Sequence, residues 1–128
     1  MTPKLNEILS SEISYGGNVF PSGGGINIRN ASDIVIADNT IHHLRYNGIS
    51  VGNSGYRLVA KNILVQGNYV HNIGQHVLPD QSAIYTVGIQ PGTIITNNMI
   101  KNVVYSTNWA TMSQKFGANN TIINNVFA

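Results

Sequence analysis

The stretch "ILVQGNYVHNI", residues 63–73, contains the repeating unit of this chain. The same pattern precedes it in "IVIADNTIHHL" (34–44) and follows it in "TIITNNMIKNV" (93–103) and "NTIINNVFA" (120–128). One asparagine aligns all four stretches, with separations of 29, 30 and 27 residues, at Asn39, Asn68, Asn98 and Asn125. A unit that recurs at this period predicts a solenoid, in which every turn repeats the same short group of elements.

Apolar residues keep fixed distances from the aligned asparagine. They lie three residues before it, two after it and five after it, in the columns Ile36, Val65, Ile95 and Ile122; Ile41, Val70, Ile100 and Phe127; and Leu44, Ile73 and Val103. This spacing is typical of short strands broken by a turn, and helical spacing is not sustained in any unit. The sequence therefore predicts an all-β parallel β-helix of about four rungs over residues 25–128.

Each unit also opens with a short alternating strand, at 26–28, 49–51 and 84–87, with a weaker fourth example at Trp109 to Met112. Residues 1–24 fit a partial rung or an N-terminal cap. A leucine-rich repeat has a similar period, but the Leu-x-x-Leu-x-Leu pattern is missing. The four aligned asparagines are expected to be scaffold, because a stacked side-chain amide can satisfy backbone groups that a buried turn leaves open. A second column, His43, Asn72 and Asn102, is expected to act in the same way.

Composition excludes several functional classes. Only 9% of the residues are charged, and the seven Lys and Arg residues are scattered, whereas a nucleic-acid surface would cluster them. There are no cysteines, and no apolar run is long enough to span a membrane or to form the core of a signal peptide. We therefore expect neither nucleic-acid binding nor a membrane span. No His pair with a carboxylate has ligand-like spacing, so no metal or other cofactor is predicted.

The end of the chain lacks a polar cap after Ala128. Because an open rung exposes unpaired strand edges, we expect a fragment of a longer solenoid, with further rungs or end-to-end self-association.

The stretch "NIGQHVLPDQSAIYTVGIQPGTIITNNMIKNV", residues 72–103, resembles the extracellular bacterial β-helix proteins related to glycoside hydrolase family 141. More broadly, the repeats resemble the right-handed, pectate-lyase-like β-helix superfamily of carbohydrate-active proteins. The resemblance implies a right-handed coil, a secreted or cell-surface location and activity on a polysaccharide. It also implies a catalytic role for Asp80 and places Tyr85 beside the site.

The residues themselves suggest further members of this site. His76 lies four residues before Asp80 and is a candidate base, while Trp109 and Tyr85 are candidates for stacking on sugar rings. Three residues after the aligned asparagines, His42, His71 and Lys101 should form an outward basic column that could hold an acidic sugar. Gln114, with Lys115 and Phe116, fills the place where relatives carry a second acidic or His-rich segment. The predicted substrate-binding residues are Tyr85, Trp109, His71, Lys101 and Gln114.

Three functions remain open at this point. Glycoside hydrolysis usually requires two carboxylates, but none follows Asp80, and Asp33 and Asp38 are expected to be turn residues. The hydrolase hypothesis therefore competes with a non-catalytic glycan-binding or structural module. A polysaccharide lyase is the third hypothesis, although the acids of a calcium-dependent lyase are missing.

Overall fold

The computed structural model describes residues 5–52, 59–75, 78, 81–104 and 112–128, with the side chains of 112–119 excepted. The described part of the chain contains no helix, and hence none that could cross a membrane. Its strands are β1 (Asn6–Leu9), β2 (Glu12–Ser14), β3 (Ile26–Ile28), β4 (Ser32–Ala37), β5 (Thr40–Leu44), β6 (Ile49–Gly52), β7 (Lys61–Gln66), β8 (Tyr69–Ile73), β9 (Ile84–Thr96), β10 (Met99–Val103), β11 (Met112–Ile123) and β12 (Val126–Phe127).

The strands stack in parallel on three faces of a coil. The first face consists of β3, β6 and the beginnings of β9 and β11. The second face consists of β1, β4, β7 and the later parts of β9 and β11. The third face consists of β2, β5, β8, β10 and β12. Four successive units thus contribute to the first face, which confirms the predicted parallel β-solenoid.

The predicted apolar columns form the core. Residues Ile36, Val65 and Ile95 are in register on the second face and are fully buried. The column formed by Ile41, Val70 and Ile100 is equally buried on the third face. The last members of these columns are exceptions, since Ile122 is 37% exposed and Phe127 is 48% exposed. Burial of a large aliphatic side chain contributes about 1.5–3 kcal/mol, so the stacked columns are a principal source of stability.

The aligned asparagines form a hydrogen-bonded ladder between the second and third faces. The Asn68 Nδ2 donates to the Ile36 carbonyl at 2.9 Å and to Asn98 Oδ1 at 2.9 Å. Its Oδ1 accepts from the backbone amide and the side chain of Asn39, at 3.1 and 3.0 Å. Asn98 and Asn125 repeat this pattern one turn further along. The ladder satisfies polar groups that the turns bury, which confirms its predicted scaffold role.

The second polar column has a different cause from the one predicted. His43, Asn72 and Asn102 have φ angles of 52°, 54° and 51°, and Tyr15, one turn earlier, has a φ of 57°. A left-handed residue inside a strand behaves as a β-bulge and interrupts the alternation of side chains. In β5 and β8 two consecutive residues accordingly lie outside the core, between buried ones. Asparagine recurs in this column because it tolerates the left-handed conformation, rather than because it continues the ladder.

A column of small residues marks the return to the first face. Gly25, Gly48 and Ala83 come directly before β3, β6 and β9, and the backbone amide after each glycine donates to the next member: Ile26 to the Gly48 carbonyl and Ile49 to the Ala83 carbonyl. A Cβ added to Gly48 would lie 2.5 Å from the Ala83 carbonyl oxygen. Close approach of successive turns therefore requires glycine at this position.

Candidate functional site

The segment around Asp80 is anchored on its C-terminal side. Asp80 and His76 lie outside the described residues, but Gln81, Ser82 and Ala83 follow and are buried. The Gln81 Nε2 donates to the Val104 carbonyl at 2.9 Å, and the Ser82 amide donates to Asn47 Oδ1 at 2.8 Å. The chain therefore passes from the Asp80 segment directly into the core, with Ile84 beginning the first-face strand.

Tyr85 occupies a polar column on the first face. It is half-buried between the buried residues Ile84 and Thr86, as strand alternation predicts. Its register partners are Ser50 and Ser113, and Asn27 pairs with Ser50 one turn earlier. Tyr85 thus belongs to a row of polar positions along the axis of the coil.

The predicted bounds of the fourth first-face strand, 109–112, are wrong. In β11 Met112 pairs with Ile84 and Ser113 pairs with Tyr85, so the strand equivalent to 84–87 is 112–115 and not 109–112. Trp109 itself lies outside the described residues. Gln114 pairs with Thr86, whose side chain is buried, so Ser113 and not Gln114 shares the register of Tyr85. The sequence misplaced this strand because the segment before it departs from the repeat.

The predicted basic column lies on the third face. His42 pairs with His71, which pairs with Lys101. The imidazole rings of His42 and His71 stack with centroids 4.8 Å apart and planes 4° from parallel. This column is therefore on a different face from Tyr85, and the predicted site residues separate into two groups.

Contacts around His42 extend this column into a cluster that sequence analysis missed. The His42 Nε2 lies 2.8 Å from Glu12 Oε1, and its Nδ1 lies 2.7 Å from the Nδ1 of His43. One turn further along, the His71 Nδ1 lies 2.7 Å from Asn72 Oδ1. The only sequence signal was the pair "HH" in "TIHHL", one turn away from Glu12.

Tyrosine rings cover both ends of this cluster. Tyr15 stacks on His43 with centroids 5.0 Å apart, and Tyr69 stacks on His71 at 4.4 Å. Tyr15 also meets the edge of His42. We refer to Glu12, Tyr15, His42, His43, Tyr69, His71 and Asn72 as the third-face cluster.

Two of the other described acids, Asp33 and Asp38, have structural positions. Asp33 and Asp38 have φ angles of 59° and 57°, so both occupy left-handed positions at turns or bulges. The Asn62 side-chain amide donates to Asp33 Oδ1 at 3.0 Å. This bond, a bond from Ser32 and the nearby Lys61 charge lower the pKa of Asp33. Among the described residues no group of three or more His, Cys, Asp or Glu side chains is arranged to hold a metal ion.

Comparison with protein families assigns the fold. A family model described as a right-handed β-helix region matches residues 4–128. The chain belongs to this right-handed β-helix family. The predicted handedness is thereby confirmed, and the leucine-rich-repeat alternative is excluded.

A solved structure agrees with this β-helix assignment. A chain named "Glycoside hydrolase" superposes with a TM-score of 0.78 and 23% sequence identity, over 93% of this chain. The β-helix described here spans about a quarter of the length of that protein, since the match covers 25% of its chain. At this identity the likeness shows a shared fold. No curated protein matches the sequence significantly.

Proposed function

We propose that this β-helix belongs to a secreted or cell-surface carbohydrate-active protein of the glycoside hydrolase type, related to family 141, that binds a polysaccharide around Asp80. The observation that carries the proposal is the likeness of nearly the whole chain to a solved glycoside hydrolase. The sequence resemblance over residues 72–103 adds to it, because this stretch contains Asp80, Tyr85 and the turn that follows them.

The first face has the chemistry that a sugar-binding surface requires. Its outward row contains Asn27, Ser50 and Tyr85, which offer amide and hydroxyl groups at the spacing of successive turns. The Asn47 side chain donates to Ser50 Oγ at 3.0 Å and so orients one of these groups. A tyrosine ring can additionally pack against the apolar face of a pyranose. In this proposal Asp80 and His76 are the acid–base candidates and Trp109 extends substrate contacts, whereas His71 and Lys101 belong to the third face and Gln114 is out of register with Tyr85.

Conversion of Asp80 to asparagine tests the proposal. The expected result for Asp80→Asn is a loss of reducing-sugar release from the active substrate in a panel of plant and microbial polysaccharides. The loss should be at least about 100-fold, the lower range for a general acid or base. Asp38→Asn is the matched control, because Asp38 occupies a left-handed turn position that asparagine accepts. Equal turnover in the Asp80 and Asp38 variants, with both proteins folded, would remove Asp80 from the mechanism.

A non-catalytic glycan-binding module is the second candidate. It is favoured by the positions of three described acids, because Asp33 and Asp38 are left-handed residues and Glu12 is bonded to His42 on the third face. None of these three is on the first-face strands beside Tyr85. Oligosaccharide binding without any product from the panel would support this candidate, whereas an unsaturated uronate product would identify a lyase.

A further inference from the structure

Two imidazole nitrogens in the third-face cluster point at one another. The Nδ1 atoms of His42 and His43 are 2.7 Å apart, although the residues are adjacent in a strand. In a regular strand adjacent side chains point to opposite faces. Here the positive φ of His43 places both rings on the outside of the coil. The contact is thus a product of the bulge that every third-face strand from β5 to β10 contains.

Glu12 selects the tautomer of His42. Its carboxylate accepts a hydrogen bond from the His42 Nε2 at 2.8 Å, so the proton of the neutral ring resides on Nε2. The Nδ1 lone pair of His42 is then directed at His43. A carboxylate behind an imidazole is the usual second contact of a metal-binding histidine, because it fixes the ring and raises its basicity.

The rings are also held in place by packing. His42 stacks on His71, and His43 stacks on Tyr15. The side chain of His42 is only 12% exposed, whereas that of Glu12 is 66% exposed. Both imidazoles are therefore positioned before any ligand arrives, and the pair lies at the surface.

From this geometry we infer that His42 and His43 form a chelating site for a divalent transition-metal ion of the class that prefers imidazole, such as Zn²⁺. Zinc–nitrogen distances of 2.0–2.1 Å place two nitrogens of a tetrahedral site about 3.3 Å apart, so the rings need to separate by only about 0.6 Å. Without the ion, His43 donates its Nδ1 proton to the His42 Nδ1; on binding, His43 would adopt the tautomer protonated on Nε2, so that both Nδ1 lone pairs face the metal and no net proton is lost. Water or a ligand oxygen would complete its coordination. This inference goes beyond the proposed function and does not depend on it.

The next turn of the coil provides an internal control. His71 and Asn72 repeat the pair, with the His71 Nδ1 2.7 Å from an amide oxygen instead of a second imidazole. His43 and Asn72 have nearly identical φ angles, 52° and 54°. Exchanging the two residue types therefore changes the ligands and leaves the backbone requirement the same.

The test is equilibrium dialysis of the full chain, without a histidine tag, against Zn²⁺. We expect saturable binding of one ion per chain in the wild type. The His43→Asn variant should lose this binding, since it converts the pair into the His–Asn pair of the next turn. Asn72→His should bind a second ion. Unchanged thermal unfolding without zinc would show that both variants keep the fold.

Glu12 is expected to act as a positioning residue. In Glu12→Gln the amide oxygen can still accept the hydrogen bond from the His42 Nε2 but carries no charge, so zinc affinity should fall about 10- to 100-fold without a change in stoichiometry. The inference is overturned if the wild type takes up no zinc, or if His43→Asn binds zinc as tightly as the wild type.

Discussion

Two corners of the coil follow different rules. Between the second and third faces each turn has a left-handed residue, which is followed by Ser11 in the first turn and by a ladder asparagine in the four later turns, as in Gly67 and Asn68. On the way back to the first face the connection spans residues 45–48 in one turn and 74–83 in the next. That corner requires only a small residue before the strand, such as Gly48 or Ala83. Insertions are therefore accommodated where the register does not depend on a ladder, and the Asp80 segment lies in such an insertion.

The largest effect is expected from breaking the ladder in its middle. Asn68→Ala leaves the buried Ile36 carbonyl and the Asn39 amide groups without their partners. At about 1–3 kcal/mol for each unsatisfied group, the free energy of unfolding should fall by about 3–6 kcal/mol. Urea denaturation followed by circular dichroism measures this loss.

Asn125→Ala is the matched control at the end of the same ladder. Asn125 accepts a hydrogen bond from Asn98 and donates one to the Ile95 carbonyl, but it is only half-buried. Water can therefore replace part of its hydrogen bonding in the variant. A loss of about 1 kcal/mol is expected. Equal destabilisation by both variants would contradict the view that burial makes the middle of the ladder essential.

At the connection from the third face to the first face, stability should depend on the size of the residue before the strand rather than on side-chain hydrogen bonds. In Gly48→Ala the added methyl would lie 2.5 Å from the Ala83 carbonyl oxygen and 2.6 Å from Val70 Cγ1. Overpacking of this kind costs about 1–3 kcal/mol. The reverse exchange, Ala83→Gly, should cost about 0.5–1 kcal/mol through chain entropy and about 0.8 kcal/mol more through loss of a buried methyl group. Thermal unfolding measures the loss of stability in each variant. An unchanged stability of Gly48→Ala would show that the turns can move apart.

The smallest change in stability is expected at Asp33, which lies near the start of the second-face strand β4 and is hydrogen-bonded to Asn62. Because this bond lowers the pKa of Asp33 below its ordinary value of 3.8, the folded state is favoured while the group is ionised. The contribution is complete above pH 3.8 and disappears as the pH falls through the lowered pKa. The difference in unfolding free energy between wild type and Asp33→Asn should therefore change only in this acidic range. A difference that changes instead near neutral pH would assign the effect to another group.

The sequence predicted those features that depend on a repeated local pattern. The columns of Ile36 and Ile41 and the asparagine ladder follow directly from spacing, because each turn must bury the same positions. The pairing of His42 with His43 did not follow, since strand alternation would separate them and only the backbone angle at His43 brings them together. The strand predicted at 109–112 begins at Met112 instead, because the connection to the first face differs in length from turn to turn and no ladder fixes where it ends. The contact of Glu12 with His42 could not be predicted either, because Glu12 lies in residues 1–24, where the sequence shows no repeat.

The left-handed column on the third face has an evolutionary consequence. It includes Tyr15, His43, Asn72 and Asn102, and beside each histidine or asparagine of this column lies one further outward residue: His42, His71 or Lys101. Each of these turns thus displays a pair of adjacent outward side chains, and successive pairs are about 4.8 Å apart. Duplication of one turn would copy this pair with its spacing. A single substitution would change the pair without disturbing the core. Adding or deleting turns would therefore change the number of such pairs on the third face, independently of the chemistry of the first face.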